Sequence, residues 1–426
     1  MKVLMLGWEF PPHISGGLGT ACFGMTKALV SRDVEVLFVL PRFRGGREES
    51  HVRLFAASEV PVPTGYFEEE TFFKGLDVRV VDAMLRPYMT GGEYETYLQW
   101  FTEKRERFGY LELTGDYGRD LVTEVMRYAV AVSVLAATET FDVIHAHDWL
   151  TVFAALHARR LSGKPVIFHV HSLEYDRSGE SVDPRIHDIE RLGMEEADHI
   201  IAVSSYTKER MVSRYSVHPD RVSVVHNAIS RREAAERFHA GKPPGEKTVL
   251  FLGRVTYQKG PEYFLEAAEK LIRSIPSIRF VMAGSGDLLP RIMEKAETLG
   301  IIDHFRFTGF LRGEEVEKMY AASDLYVMPS VSEPFGISPL EALAFDVPVI
   351  ISKQSGVAEI LRHALKVDFW DVEELANKIH AVLAYRGLPA ELLERCREEM
   401  IEVTWENAAT RILEVYRKAL KTVVSG

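Results

Sequence analysis

The chain has 426 residues, 46% of them hydrophobic and 27% charged, with a formal net charge of −11 and a pI near 5.8. That size and apolar content predict a globular protein of two or three domains with full cores. The acidic balance argues against a nucleic-acid partner, which needs a basic face, and against a broad membrane-surface footprint. The two cysteines, Cys22 and Cys396, are far apart and lack zinc or Cys-x-x-Cys spacing. They are expected to be buried free thiols in a reducing compartment.

The first apolar run, Val3–Leu6, reads as a strand and is too short for a signal-peptide core. No window approaches the eighteen or more consecutive apolar residues of a membrane span, so no transmembrane segment and a cytoplasmic location are expected. Trp8 to Gly19 then leads through His13, Ile14 and the paired Gly16-Gly17 into a helix. Glycines at such a turn let backbone amides approach a phosphate, although glycines also simply end strands. The second strand, Val34–Leu40, is followed by Pro41-Arg42 rather than by an acidic residue that would hold a ribose. This argues against nicotinamide binding. The aromatic-rich stretch Tyr66–Tyr110 suits either core packing or sugar stacking.

A helical pattern covers Leu121–Ala137, and strands follow at Val143–His147, Val166–Val170, His199–Val203 and Val222–Val225. Two of these strands carry histidine pairs, His145 with His147 and His169 with His171, the first pair followed by Asp148. Residues i and i+2 of a strand share a face, so either pair has ligand-like spacing. Neither a His-Glu-x-x-His helix nor a cysteine cluster accompanies them, and no metal is expected. Hydrogen-bonding core roles are expected for His145 and His169. Asp148 and His171, nearest the loop ends, are the functional candidates.

The polar segment Arg231–Lys247, with Lys242-Pro-Pro-Gly245, reads as a linker. Beyond it the pattern restarts with strands at Thr248–Leu252, Arg279–Ala283, Phe305–Thr308, Leu325–Met328 and Val347–Ile351, and with helices at Pro261–Arg273 and Glu314–Ala322. Alternating strands and helices predict an α/β fold with parallel sheets covered on both faces. Two tandem Rossmann-like domains are expected, residues 1–230 and 245–404, facing one another across a cleft. The amphipathic segment 405–426 forms a terminal helix or returns to the first domain.

The most informative stretch is Glu333-Pro-Phe-Gly-Ile-Ser-Pro-Leu-Glu341, preceded upstream by Gly253-Arg254 and Lys259-Gly260. Pro339 reads as a first helical residue with Ser338 as its cap, so amides of Gly336, Ile337 and Ser338 would sit at a helix N-terminus. Arg254 and Lys259 supply positive charge for a diphosphate, and Glu333 and Glu341 supply acceptors for hydroxyls. Together they describe a sugar nucleotide. Ser338 and Glu341 also fit a simple capping box, in which Glu341 turns back to the Ser338 amide.

These residues resemble the retaining GT-B glycosyltransferases, in particular the glycogen and starch synthase branch and its sucrose-phosphate-synthase-like relatives. The resemblance covers nearly the whole chain. It rests on Gly16-Gly17-Leu18, His145-Ala-His147-Asp148-Trp149, His171-Ser-Leu-Glu-Tyr175, Gly253-Arg254 with Lys259-Gly260, and Glu333 to Glu341. It implies that Arg254 and Lys259 bind the diphosphate, Glu333 the donor sugar, Glu341 the ribose, and Asp148 and His171 the reacting sugars. Gly16, Gly17, Gly336, Ile337 and Ser338 complete the implied donor site. The implied reaction moves glucose from ADP-glucose or UDP-glucose to an α-glucan, with no other cofactor. One departure concerns Ile14, where bacterial glycogen synthases carry a lysine two positions before the paired glycines, and it leaves the donor nucleotide open. A small sugar or lipid acceptor, a sugar-nucleotide epimerase and a non-catalytic sugar-binding protein remain the alternatives.

Overall fold

The computed structural model describes residues 1–11, 16–43, 50–63, 108–109, 111, 113–115, 121–229 and 246–425. His13, Ile14, nearly all of the aromatic stretch 66–110 and residues 231–245 of the linker lie outside the described residues.

Among the described residues, fifteen strands form two large parallel sheets and one small antiparallel pair. The first sheet is built from β1 (Lys2–Leu6), β2 (Glu35–Leu40), β3 (Arg53–Ala56), β6 (Val143–His147), β7 (Val166–Val170), β8 (His199–Ala202) and β9 (Val222–Val224), in the order β3-β2-β1-β6-β7-β8-β9. The pair β4 (Val62–Pro63) and β5 (Phe108–Gly109) stands apart. The second sheet contains β10 (Lys247–Leu252), β11 (Ile278–Ala283), β12 (Phe305–Gly309), β13 (Leu325–Met328), β14 (Val349–Ser352) and β15 (Leu365–Val367), in the order β12-β11-β10-β13-β14-β15. Every residue of β6, β7, β8, β13 and β14 is buried, because helices cover both faces. Such strands read as continuous apolar runs rather than alternating ones. The short edge strands β3 and β15, each partly exposed, escape that pattern and were not anticipated.

In each sheet the chain starts in the middle and reverses direction of growth once, beside β1 in the first and beside β10 in the second. Loops leaving the carboxyl ends of strands diverge at such a reversal and open a crevice there. Gly7 to Pro11 leaves β1 and Asp148 leaves β6; Gly253-Arg254 leaves β10 and Pro329 to Gly336 leaves β13. The motifs singled out in the sequence therefore lie at the two reversal points.

The helix Leu121–Thr138 is, by length and composition, apolar enough to cross a membrane, although Thr123, Glu124 and Arg127 interrupt its apolar run. Half of that stretch is buried, and Val125, Tyr128, Ala129 and Val132 are in the first-domain core, where the helix packs on Val152–Ser162. The terminal helix Trp405–Ser425 packs on the helix Gly17–Val30 of the first domain. Trp405 fills a slot at Gly24, where any Cβ would overlap the indole, and Ile412 and Tyr416 are fully enclosed in the same cluster. Both cysteines are free and buried, and burial pushes the Cys396 thiol up to about 12.

Candidate active site

At the second reversal point the turn Tyr257–Lys259 follows β10, and Gly260 takes a left-handed conformation (φ 66°) that starts the helix Pro261–Ile272. A side chain at Gly260 would overlap the Pro329 carbonyl, so only glycine lets the two loops meet. Their meeting sets Lys259 Nζ 2.5 Å from Glu333 Oε2, with the Ser330 hydroxyl donating to the same oxygen at 3.2 Å. Lys259 and Glu333 thus pair with each other across the two loops. Arg254 is exposed and reaches back to Gln258 Oε1 at 3.1 Å.

Gln258 is a site residue that sequence reasoning missed. It is 4% exposed, and its carbonyl accepts from the Val331 amide at 2.9 Å, fastening the loop that carries Glu333. Nothing in its composition marks a lone glutamine for this role. Gly336, at φ 99°, turns that loop into the helix Ser338–Ala344.

Ser338 is not the cap of this helix. The helix begins at Ser338 itself, Ile337 precedes it, and the Ser338 hydroxyl instead accepts from Tyr326 at 2.7 Å. Tyr326 projects from the adjacent buried strand β13, and a tyrosine hydroxyl in a core seeks the nearest acceptor. The Glu341 carboxylate accepts from Tyr320 at 3.1 Å, one turn into the helix.

At the first reversal point the buried His145, His147 and His169 and the half-buried His171 form one array. His145 Nδ1 meets the Tyr416 hydroxyl at 2.5 Å and its Nε2 meets His169 Nδ1 at 3.1 Å; His147 Nδ1 meets His171 Nε2 at 2.9 Å. His169 and His171 stack with centroids 4.2 Å apart. Burial holds all four imidazoles neutral, pushing His145 and His171 down to about 3 and His147 and His169 well below the ordinary value. Ring nitrogens of His145, His147 and His169 lie within 4.8 Å of one another, a trio with metal-ligand potential. Whichever tautomer it takes, His145 engages one nitrogen with Tyr416 and the other with His169, so its single lone pair is already in a hydrogen bond.

Asp148 follows β6 with φ 56° and ψ 176°, a conformation rare for any residue but glycine. Strain of this kind persists only where surrounding contacts enforce it. Here Asp148 Oδ1 accepts from the His171 amide at 2.6 Å and the Ser172 amide at 3.3 Å. Desolvation dominates over those bonds and raises the carboxyl to about 7. Asp148 and His171 therefore belong to one hydrogen-bonded corner.

That corner is tied to the second domain by the segment after it. Residues 174–178 pack on the Tyr257–Lys259 turn, and Asp176 Oδ1 accepts from Ser332 Oγ at 2.5 Å, one residue before Glu333. Gly16 and Gly17 are exposed, and Ile337 packs against both the first-domain cluster behind them and the second-domain core. The two reversal points therefore face one another, with the candidate residues of both domains around one gap.

The sequence profile described as Glycosyl transferases group 1 matches residues 232–403, and that described as Glycosyltransferase Family 4 matches residues 104–233. The D-inositol 3-phosphate glycosyltransferase of Mycolicibacterium smegmatis is 30% identical over 71% of this chain and 73% of its own. The chain is a group 1 glycosyltransferase. An uncharacterized glycosyltransferase of Methanocaldococcus jannaschii is 29% identical to the transferase over 99% of both chains. The glycogen synthase of Mycobacterium tuberculosis is 25% identical over 98% of this chain and 95% of its own. Among solved structures, the sucrose-phosphate synthase of Thermosynechococcus elongatus superposes with a TM-score of 0.75 at 20% identity, covering 99% of each chain. The catalytic domain of starch synthase IV from Arabidopsis thaliana, bound to ADP and acarbose, gives 0.67 at 16% identity, again over 99% of each. At these identities the likeness concerns the fold, which is GT-B.

Proposed function

We propose that the transferase moves a glucosyl unit from ADP-glucose or UDP-glucose to an α-glucan, with retention at the anomeric carbon, in the cytoplasm. The observation that carries this reading is the Lys259–Glu333 pair at the β10–β13 crevice, facing the histidine corner of the first domain. A glycogen synthase relative aligned over 98% of the chain, and a starch synthase of the same fold bound to ADP, support the substrate class.

In this reading Lys259 and Arg254 hold the departing diphosphate, and stabilising its developing charge is the main catalytic effect. Gly16 and Gly17 bring backbone amides to the same phosphates, as do Gly336, Ile337 and Ser338. Glu333 binds donor-sugar hydroxyls and releases Lys259 to the phosphate when donor arrives; it is not assigned as a covalent nucleophile. Glu341 holds the ribose. Neutral His171 hydrogen-bonds the donor sugar without adding charge, and Asp148 orients the acceptor.

A second reading, a small phosphorylated polyol as acceptor, is favoured by the 30% identical inositol phosphate glycosyltransferase. Nucleoside diphosphate release from a donor panel, measured with an α-glucan, with inositol phosphate and without acceptor, separates the two. Epimerised donor formed without acceptor, or no turnover at all, would overturn both.

A further inference from the structure

The strip Ser332-Glu333-Pro334 belongs to the second domain, yet much of its polar environment comes from the first. Ser332 Oγ donates to Asp176 and lies 3.1 Å from the Tyr206 hydroxyl. One residue beyond Glu333, the Pro334 carbonyl accepts from Ser204 Oγ at 2.5 Å and from Thr207 Oγ1 at 3.2 Å. Asp176, Ser204, Thr207 and Ser332 are each 3% exposed or less. Glu333 is therefore bracketed on both sides by contacts that cross the domain gap.

The first-domain groups are themselves fixed. Asp176 Oδ2 accepts from the Leu173 amide at 2.8 Å and Oδ1 also accepts from Arg210 Nη1 at 2.8 Å, so both oxygens are oriented before Ser332 arrives. Ser204 caps the helix Ser205–Tyr215, accepting from the Thr207 amide at 3.0 Å. The approach of Ser204 to the strip leaves no room at Gly356, where a Cβ would overlap both the Pro334 carbonyl and the Ser204 side chain.

We infer that Asp176 and Ser204 are positioning residues for transfer: they seat the Glu333 loop against the first domain, so that the donor site becomes reactive only when the two domains are docked. The inference rests on the reading of Lys259 and Glu333 as donor-site residues. Those residues, with Arg254 and Glu341, all lie in the second domain, so a nucleoside diphosphate keeps its charged contacts there whether or not the clamp is made, and only the Gly16 and Gly17 amides of the first domain depend on docking. What the clamp adds is the alignment of Glu333 with the first-domain corner. Losing an interaction made only in the docked arrangement depopulates that arrangement and lowers turnover, with little change in affinity for a ligand whose charged contacts are the same in both.

The test uses the full chain with Ser204→Ala, Ser332→Ala, Ser332→Thr and Asp176→Asn, measuring kcat and KM for transfer to α-glucan, ADP and UDP affinity by calorimetry, and Tm. Loss of one clamp bond in Ser204→Ala or Ser332→Ala is expected to lower kcat about tenfold, a barrier change of about 1.4 kcal/mol. Nucleotide affinity should stay within about twofold, because the phosphate-binding charges are untouched. Asp176→Asn should lower kcat further, and Ser332→Thr, which keeps the hydroxyl, should recover most of it. Unchanged kcat in both alanine variants would overturn the inference, and so would nucleotide affinity falling in step with kcat, or a loss of Tm that Ser332→Thr shares. If Asp176→Asn does not fold, the serine variants decide. Failure of the donor-site reading is seen separately, as a Lys259→Ala variant that turns over and binds nucleotide normally.

Discussion

The two reversal points face one gap but are built from opposite electrostatics. Beside β1 and β6 the polar groups are withdrawn from water and hydrogen-bonded to each other: four neutral imidazoles and an aspartate raised to about 7, half protonated at neutral pH. Beside β10 and β13 the ionisable groups reach water or an opposite partner, with Lys259 and Glu333 paired at 21% and 9% side-chain exposure and Arg254 open to solvent. Desolvation decides the difference, since a group fully withdrawn from water gives up its charge unless a partner offsets the cost. A site that must stabilise a diphosphate needs the second arrangement. One that orients sugar hydroxyls works with the first.

The largest effect expected of this contrast is at the charged point. Lys259→Ala and Arg254→Ala should each cut transfer by roughly 10²–10³, about 2.7–4 kcal/mol, as for loss of one preorganised donor to a developing anion. Near-normal turnover in both variants, with Tm unchanged, would remove the diphosphate assignment and leave the two points electrostatically different for no catalytic reason.

The neutral point predicts acid sensitivity. Each of the four histidines has its folded pKa below the unfolded value, so its contribution to stability is complete above about pH 6.5 and is lost as pH falls toward the folded value, by up to about 1.4 kcal/mol per pH unit for each ring. Asp148 acts oppositely. Its folded pKa, about 7, lies above the ordinary 3.8, so it favours the folded state more as pH falls through that interval. Four groups outweigh one, and the urea midpoint should drop on going from pH 7 to pH 5. A flat midpoint over that range would mean that the imidazoles are not held neutral.

A smaller effect separates the two sugars at the neutral point. Asp148→Asn should impair transfer to glucan more than slow donor hydrolysis, whereas His171→Ala should reduce both by loosening the donor sugar. Because Asp148 titrates near neutrality, the change should also flatten the pH profile of transfer around pH 7. Purely structural roles would lower Tm and leave the transfer-to-hydrolysis ratio as it was.

The smallest expected effect is none. If Arg254 and Lys259 supply the positive charge at the diphosphate, treatment with a chelator should leave activity essentially unchanged. Loss of activity restored by Zn²⁺ would return attention to the trio His145, His147 and His169.

Much of the architecture was legible because parallel strands buried on both faces must be continuous apolar runs. Val143–His147, Val166–Val170 and Leu325–Met328 have the bounds read from the sequence. The edge strands Arg53–Ala56 and Leu365–Val367 were not legible, since one side of each lacks a neighbouring strand and their composition is mixed. The capping assignment of Ser338 failed for a related reason. A local pattern predicts local partners, and a buried tyrosine from another element took the hydroxyl instead.

The sequence by itself determined that its candidate site residues lie at strand ends: Gly16-Gly17, Asp148, His171, Gly253-Arg254, Lys259 and the run Glu333 to Glu341. It did so because turn residues, charge and strand periodicity are local properties of the chain. Tertiary structure alone decided how far each of these groups is withdrawn from water, that Lys259 pairs with Glu333, that Tyr416 of the terminal helix meets His145, and that Asp176 and Ser204 hold the Glu333 loop from the other domain. Those outcomes depend on desolvation and on contacts between residues up to 271 positions apart, and neither is written in any short window of sequence.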